Sequence, residues 1–383
     1  MADATTAVPD DARVAELMRT PHEVMRLDRM GASYQTRLSF MRAILRRVKR
    51  EGWQVERTVW DVDDRGVGVG VYEARGPEHT YSLIAYANDL PPEKRSDRVI
   101  ATVWDASFAL FDGVPTQADI DRLRGNVPKQ EAGRCAASEL VLSRANRSVR
   151  LFDHVADCLA QGRQPDVAEI DKVGYLMRTT AVYGNGKFGL ADRDLYATRE
   201  EAGGPFRVEL LAVWLIRVFT VDIVEHMARV KGGADAVPLD REIRRRLGVG
   251  NSTGLGMAPF LVTHAALLNA WMMARETALA RVRALPAASA DTIRHFLEHL
   301  DRAHAGLERW RTPDERQSMR VCELAGDFDK LKTHLETGVL KAAEPWNELY
   351  LWAVANLTLE GQEALCSLMI EPHGDLVDDL AGE

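Results

Sequence analysis

The pattern of apolar and polar residues changes along this chain, from strand-like stretches before residue 112 to helix-like spacing after it. Four stretches rich in Val, Ile, Thr, Tyr and Trp lie between short turn signals: 54–62, 66–74, 80–87 and 98–111. Such runs predict strands, and Gly, Pro and Asp between them predict turns. Because parallel strands need a crossover of a dozen or more residues, these short links predict an antiparallel meander.

After residue 112 the apolar residues recur at steps of three and four, which predicts helices. We place them near 116–125, 129–145, 147–161, 166–178, 206–231, 239–247, 255–283, 289–310, 313–337 and 344–370. The helices 206–231 and 255–283 are apolar almost all round, which is typical of buried, central helices.

The sequence therefore predicts an α+β fold that is predominantly helical. An N-terminal portion, residues 1–115, would hold the antiparallel β-meander with flanking helices, and residues 116–383 would form a large all-helical portion. No regular alternation of strand and helix is present, so a doubly wound dinucleotide-binding sheet is not supported.

Charge and cysteine content exclude several classes of protein. Acidic residues outnumber basic ones by 57 to 49 in the 383-residue chain, which argues against a nucleic-acid binder because such proteins need a basic face. The basic stretch 37–50 is interpreted as a solvated or partner-facing helix side. Four cysteines without C-x-x-C spacing predict neither a disulfide framework nor a cysteine-rich zinc site.

The chain also lacks the signals of export and of a membrane span. Its first residues show no basic region followed by an apolar run, so no signal peptide is predicted. The apolar stretch 254–274 is interrupted by Pro259, His264 and Asn269, which favours a buried helix over a span. We expect a cytoplasmic protein.

Two glycine-rich segments, 183–189 and 248–256, bracket the apolar helix 206–231. Glycine lets backbone N–H groups approach a ligand closely, and a helix N-terminus after the second segment favours anions. A Ser or Thr that merely caps this helix is the alternative interpretation. We expect these residues to bind an anionic substrate, with two flanking arginines: Arg178, Asn185, Gly186, Arg193, Asn251, Thr253 and Gly254.

The first segment matches G-x-G-x-x-G, which occurs in nucleotide-binding proteins. Residues 191–194 open no apolar helix, and Phe188 stands where a phosphate-binding loop needs Ser or Thr. An ordinary turn and a nucleotide or flavin site both remain open, and no cofactor is favoured.

Candidate acid–base groups lie in and around the same helix. Glu209, His264, Tyr183 and Lys187 are candidates for moving protons, and Ser252 is a candidate donor to developing negative charge. Structural roles compete: Glu209 complements the positive end of a helix, and a lone histidine such as His264 is often a core residue.

Asp222 and His226 share one side of the helix, four residues apart. Such a pair serves as an acid–base pair, a metal half-site or a structural contact, of which the structural contact is commonest. No metal is predicted. The sequence His295-Phe296-Leu297-Glu298-His299 resembles an inverted zinc-protease motif, but its polar residues lie opposite the apolar face, so we set it aside.

These features favour an enzyme that acts on a small carboxylate or phosphate metabolite by acid–base chemistry, as a lyase or an isomerase does. Two alternatives remain: a nucleotide- or flavin-dependent enzyme using residues 184–189, and a non-catalytic ligand-binding or scaffold protein. Neither a nucleic acid nor a membrane is expected as a partner, and a homodimer is expected on general grounds.

The anion-binding interpretation of the second segment is testable by mutation. The double variant Ser252→Ala, Thr253→Val should lose ligand binding with a nearly unchanged melting temperature, because donors to a ligand do not hold the fold together. Calorimetry checks both quantities, and a large loss of stability would instead support helix capping, whose removal costs about 1 kcal/mol.

Overall fold

The structure, a computed structural model of the chain, describes residues 9–20, 23, 48–96, 102–126, 136–183, 208–247, 265–309 and 315–374. Its strands are β1 Gln54–Val62, β2 Gly68–Arg75, β3 Thr80–Ala87, β4 Ala106–Asp112, β5 Glu139–Arg147 and β6 Met177–Tyr183. Its helices, in chain order, are α1 Asp11–Leu17, α2 Gln117–Asn126, α3 Phe152–Ala160, α4 Val167–Val173, α5 Val208–Gly232, α6 Arg241–Arg246, α7 Ala265–Arg283, α8 Ala290–Arg309, α9 Glu315–Leu335, α10 Pro345–Asn356 and α11 Leu359–Ile370.

The described residues fall into two compact units. The sheet unit holds those between residues 44 and 268, and the helical unit holds those before residue 44 and after residue 268. The division falls inside α7, between residues 268 and 269. Among the described residues, no helix combines the length and apolar character that crossing a membrane requires.

The sheet has six strands in the order β1-β2-β3-β4-β5-β6, and each neighbouring pair is antiparallel. The predicted fold class, α+β and predominantly helical with an antiparallel meander, is therefore confirmed. The tight turn between β1 and β2 comes from Asp63, whose Oδ1 accepts the N–H groups of Arg65 and Val67, both at 2.9 Å. Gly66 adopts a φ of +72° in this turn, a value that favours glycine.

Both faces of the sheet are covered. On one face, the rings of Trp60, Tyr72 and Phe108 pack around Phe219 of α5. Alternate residues of the same strands form the other face, where an apolar cluster includes Ile120 of α2. The members of this cluster are Val69, Val71, Ile84, Tyr86, Ala109, Phe111, Ile120, Leu123 and Leu142. The long apolar helix predicted near 206–231 is thus confirmed as a central helix, Val208–Gly232.

The predictions over 129–145 and 166–178 were wrong where the structure describes them. Residues 139–147 form β5 and residues 177–183 form β6, although α4 does occupy 167–173. In β5 eight of nine residues are buried, and a strand buried on both faces loses the alternation that identifies a strand. The sheet therefore continues past residue 115, where the sequence suggested that a helical portion begins. The two-portion boundary itself stays a prediction.

In the helical unit, α8–α11 and the later part of α7 enclose an apolar core in which Phe296 and Trp346 pack edge to face at 5.3 Å. The prediction of one helix over 344–370 was wrong, because α10 ends at Asn356 and α11 begins at Leu359. Thr358 caps α11, and the buried Asp327 of α9 accepts its backbone N–H at 2.9 Å.

The end of α5 approaches α3 so closely that only glycine fits. A Cβ on Gly232 would lie 2.1 Å from the carbonyl oxygen of Ala160. We expect Gly232→Ala to destabilise the protein by about 1–3 kcal/mol through overpacking. Gly125→Ala near the end of α2 is the matched control, because a Cβ there would meet no neighbouring atom within 4 Å. This variant should stabilise the protein by about 0.5–1 kcal/mol. Urea unfolding of both variants checks the contrast, and equal effects would contradict it.

Candidate functional site

Most of the side chains predicted to bind or transform a substrate lie outside the described residues. These are Asn185, Gly186, Lys187, Arg193, Asn251, Ser252, Thr253, Gly254 and His264. Tyr183 ends β6 and Glu209 lies at the start of α5, but only their backbone is described. The roles assigned to all of these residues stay predictions.

Arg178 is described, and the sheet fixes its place. It lies opposite Asn146 of β5, whereas Tyr183 lies opposite Leu142. Five residues of extended strand span roughly 17 Å. Arg178 is therefore at the opposite end of β6 from the point where the 184–189 segment begins, and it lies beside a different set of polar groups.

Asp222 and His226 both bind groups of the sheet rather than each other. Asp222 Oδ2 accepts from Arg57 Nη1 at 2.8 Å and from the buried hydroxyl of Tyr72 at 2.9 Å. His226 Nε2 lies 2.9 Å from the carbonyl oxygen of Asp63, and its ring packs on Trp60. Burial and the neighbouring Asp222 carboxylate raise the pKa of Tyr72 above its usual range. These contacts fasten α5 to β1 and β2.

No group of three or more His, Cys, Asp or Glu side chains within the described ranges is arranged to hold a metal ion. The histidines of the protease-like motif are used differently. His299 contacts the buried carboxylate of Glu371 at 3.3 Å, and His295 is exposed.

A polar cluster that the sequence did not reveal lies at the end of the sheet where β4 starts. Asp105, 1% exposed, stands at its centre. Its Oδ2 accepts the backbone N–H of Arg147 at 3.0 Å, and its own N–H donates to Asn146 Oδ1 at 2.8 Å. The backbone of β5 thus holds the carboxylate, and the side chain of Asn146 holds the backbone of Asp105 just before β4.

Arginines surround this carboxylate. The Nε atoms of Arg95 and Arg147 lie 3.2 and 4.0 Å from Asp105 Oδ1. Neither contact has the geometry of a hydrogen bond, and these three atoms have no other hydrogen-bond partner among the described residues. Arg147 also donates from Nη2 to the carbonyl of Gly66 and lies over the ring of Phe152. Polar capacity is therefore present that the described side chains do not use.

Two asparagines hold the connection between β3 and β4 in place. Asn146 Nδ2 donates to the carbonyls of Ser96 and Val103, and Asn88 Nδ2 donates to the carbonyl of Trp104. The half-buried Trp104 packs under the guanidinium of Arg144, which is centred 3.6 Å above its ring. This connection thus presents an aromatic ring with a cation on it beside the buried carboxylate.

Burial shifts the two charged centres toward their neutral forms. Loss of solvent raises the pKa of Asp105, although the backbone N–H and the guanidinium of Arg147 counteract it. Loss of solvent also lowers the pKa of Arg147, with Asp105 opposing that shift. A carboxyl group with a raised pKa exchanges a proton closer to neutral pH than an ordinary one, which suits a general acid or base.

A sequence signal for this site exists but is weak. Asp105 is the one charged residue between Val103 and Phe111, a stretch that was read as part of a strand. A carboxylate in an apolar run is costly unless it is paired or used. Its partners, Arg95 and Arg147, lie 10 and 42 residues away in the sequence. No helical or strand periodicity connects them to Asp105.

Comparison with known proteins finds no matching family model, no similar curated protein and no similar solved structure. The function of the site has to be argued from its geometry.

The raised pKa of Asp105 has a consequence for stability. The folded state keeps this proton at pH values where the unfolded chain has released it, so the associated stability is complete below about pH 4 and is lost as pH rises through the folded pKa. Asp105→Asn should remove this fall, measured by urea unfolding between about pH 3 and about pH 7.

Asp119→Asn is the control of opposite sign. Hydrogen bonds from Thr116 lower the pKa of Asp119, so its contribution is present above the unfolded pKa and disappears as pH falls. An Asp105→Asn variant with the pH slope of the wild type would contradict the burial argument.

Proposed function

We propose that the sheet unit binds a small anionic metabolite, a carboxylate or a phosphate, and acts on it by acid–base chemistry of the elimination, hydration or isomerisation type. The observation that supports this proposal is the buried Asp105 carboxylate facing the Nε atoms of Arg95 and Arg147, with unused hydrogen-bonding capacity on all three among the described residues.

The arginines supply the binding step of this proposal. A guanidinium group binds carboxylate or phosphate through paired N–H donors, and such charge-assisted bonds are the strong ones. Arg95 and Arg144 are half-buried and so reach solvent, whereas Arg147 is 5% exposed. An anion that approaches Arg95 and Arg144 from solvent would meet two guanidinium groups beside the cluster.

Asp105 supplies the proton-transfer step. Removal of a proton next to an anionic group, or its addition to a leaving group, needs a base or acid whose pKa lies near the working pH. Burial moves the pKa of Asp105 in that direction. The neighbouring guanidinium groups would stabilise negative charge that develops on the substrate in the transition state.

The residues predicted from the glycine-rich segments remain part of this proposal. Lys187, Glu209 and His264 are candidates for the complementary proton donor, and Ser252 for an oriented hydrogen-bond donor. Tyr183 lies at the opposite end of β6 from the cluster, roughly 17 Å away, and so does not fit that role beside Asp105. Arg178 lies opposite Asn146, whose side chain binds Asp105. This position at the same end of the sheet as the cluster supports a contribution of Arg178 to substrate binding.

A non-catalytic ligand-binding role is the second candidate, because the same arginines would bind an anion without any turnover. The two functions differ at Asp105. A binding protein needs that carboxylate only to position arginines, whereas an enzyme needs its proton. A nucleotide or flavin cofactor at 184–189 stays an alternative, and no described contact bears on it. The cytoplasmic location and the homodimer also stay expectations.

The two roles are separable by two substitutions. Arg95→Met should weaken the binding of a small carboxylate or phosphate by about tenfold or more, since it removes a charge-assisted bond from an arginine that reaches solvent. Asp105→Asn should retain binding, because it removes a competing negative charge, but should reduce turnover at least about a hundredfold. Thermal-shift screening of small carboxylates and phosphates identifies the ligand, calorimetry measures its Kd, and NMR of the incubated ligand measures turnover.

Arg122→Met is the matched control for the loss of an arginine beside a buried carboxylate. Arg122 pairs with Glu139, which is fully buried, at the opposite end of the sheet. This variant should bind the ligand as the wild type does. Equal losses of binding in the Arg122 and Arg95 variants would show that general destabilisation causes the effect. Unchanged turnover in Asp105→Asn would end the acid–base assignment.

A further inference from the structure

Arg19 of the helical unit is buried in a setting that fits a ligand. Its side chain is 3% exposed and forms a two-pronged contact with Glu276, from Nε at 2.8 Å and from Nη2 at 2.7 Å. Its third nitrogen, Nη1, donates to Glu363 at 2.6 Å. The two carboxylates therefore bind one guanidinium group through several of its N–H donors, a geometry that suits its planar fork.

The segment that carries Arg19 is short, and its described apolar contacts are small. Its helix α1 is seven residues long, too short to be stable alone. Val14 and Leu17 contact Ala280, and Arg13 pairs with Glu344 in a partly exposed contact at 3.0 Å. The buried guanidinium and a bond from Arg283 to the carbonyl of Leu17 are thus buried polar contacts between residues 9–20 and the described part of the helical unit.

The two carboxylates are held in place without Arg19. Arg275 donates from Nη1 to Glu276 at 3.2 Å and from Nη2 to Glu363 at 3.1 Å. It also lies within hydrogen-bond distance of Ser367. Since Glu276 and Arg275 belong to α7 while Glu363 and Ser367 belong to α11, these bonds join the helices that form the site. Arg275 therefore bridges the same two carboxylates as Arg19 does.

The second arginine of the cluster changes what the loss of Arg19 would cost. Removing one partner of an isolated buried ion pair strands a charge and is strongly destabilising. Here Glu276 and Glu363 would each keep a hydrogen bond from the buried Arg275 when Arg19 departs.

We propose that Glu276, Glu363 and Arg275 form a guanidinium-binding site that persists without Arg19, and that residues 9–20 occupy it reversibly as a ligand tethered to the same chain. The site recognises a guanidinium group, whose paired N–H donors bridge its two carboxylates. A compound that carries a guanidino group competes with Arg19 for the site.

Chemical rescue of the full-length Arg19→Ala variant tests this proposal. Guanidinium chloride at about 20 mM, far below denaturing concentrations, should raise the melting temperature of this variant, whereas sodium chloride at the same concentration should not. The wild type should show no rise, because Arg19 fills its site. The Arg13→Ala variant, which loses only the partly exposed contact with Glu344, should also show no guanidinium-specific rise.

Identical responses of Arg19→Ala to guanidinium and to sodium would overturn the proposal. Should this variant fail to fold, recovery of soluble protein on refolding in guanidinium, but not in sodium, supports the proposal, and equal failure in both salts opposes it.

Hydrogen exchange of Arg19→Lys gives an independent measurement. This variant keeps the charge and loses the fork, so amides of residues 11–20 should exchange about tenfold faster while those of α7 and α11 change less than about twofold. Uniform acceleration across the segment and both helices would show that the site depends on Arg19, and would overturn the proposal.

Discussion

Helix α5 lies against the sheet under the constraint that each charged side chain it brings into the interior must find a partner. Its apolar residues supply the driving force, at about 1.5–3 kcal/mol for each large side chain buried. That gain would be lost to an unpaired charge. Asp222 binds Arg57 and Tyr72, and Glu225 accepts the backbone N–H of Leu239 and pairs with Arg244.

Arginine and aspartate partners on other elements also fix the position of α5. Arg217 shows the cost of burial directly, since loss of solvent and the nearby Arg244 lower its pKa. It donates to the carbonyl of Leu247, which follows α6. The described polar side chains of α5 therefore hold the sheet unit together. Under the function proposed above, Asp105 rather than Asp222 or His226 would transfer the proton.

The two buried clusters, around Arg19 and around Asp105, differ in how fully their charged atoms are hydrogen-bonded. In the helical unit, Glu276 and Glu363 each accept hydrogen bonds from two arginines. Arg19 and Arg275 both donate to both carboxylates. At Asp105, by contrast, the described residues leave Oδ1 without a well-formed hydrogen bond. A complete cluster suits a site that is already filled, and an incomplete one suits a site that awaits a ligand. The thiol of Cys366 lies near the filled cluster, and burial raises its pKa to about 11.

The sequence by itself determined those elements whose signals are local. The bounds of β1 and β3 agree with the prediction because turn residues bracket each strand, and α5 was found because its apolar character continues over seven turns. Strand β5 was missed because burial on both faces removes the alternation of a strand. Only the tertiary structure decided where charges find partners: Arg19 and Glu363 are 344 residues apart, and Asp105 and Arg147 are 42 apart. Local pattern depends on neighbours within a few residues, whereas a buried charge is stabilised by groups that folding brings from elsewhere in the chain.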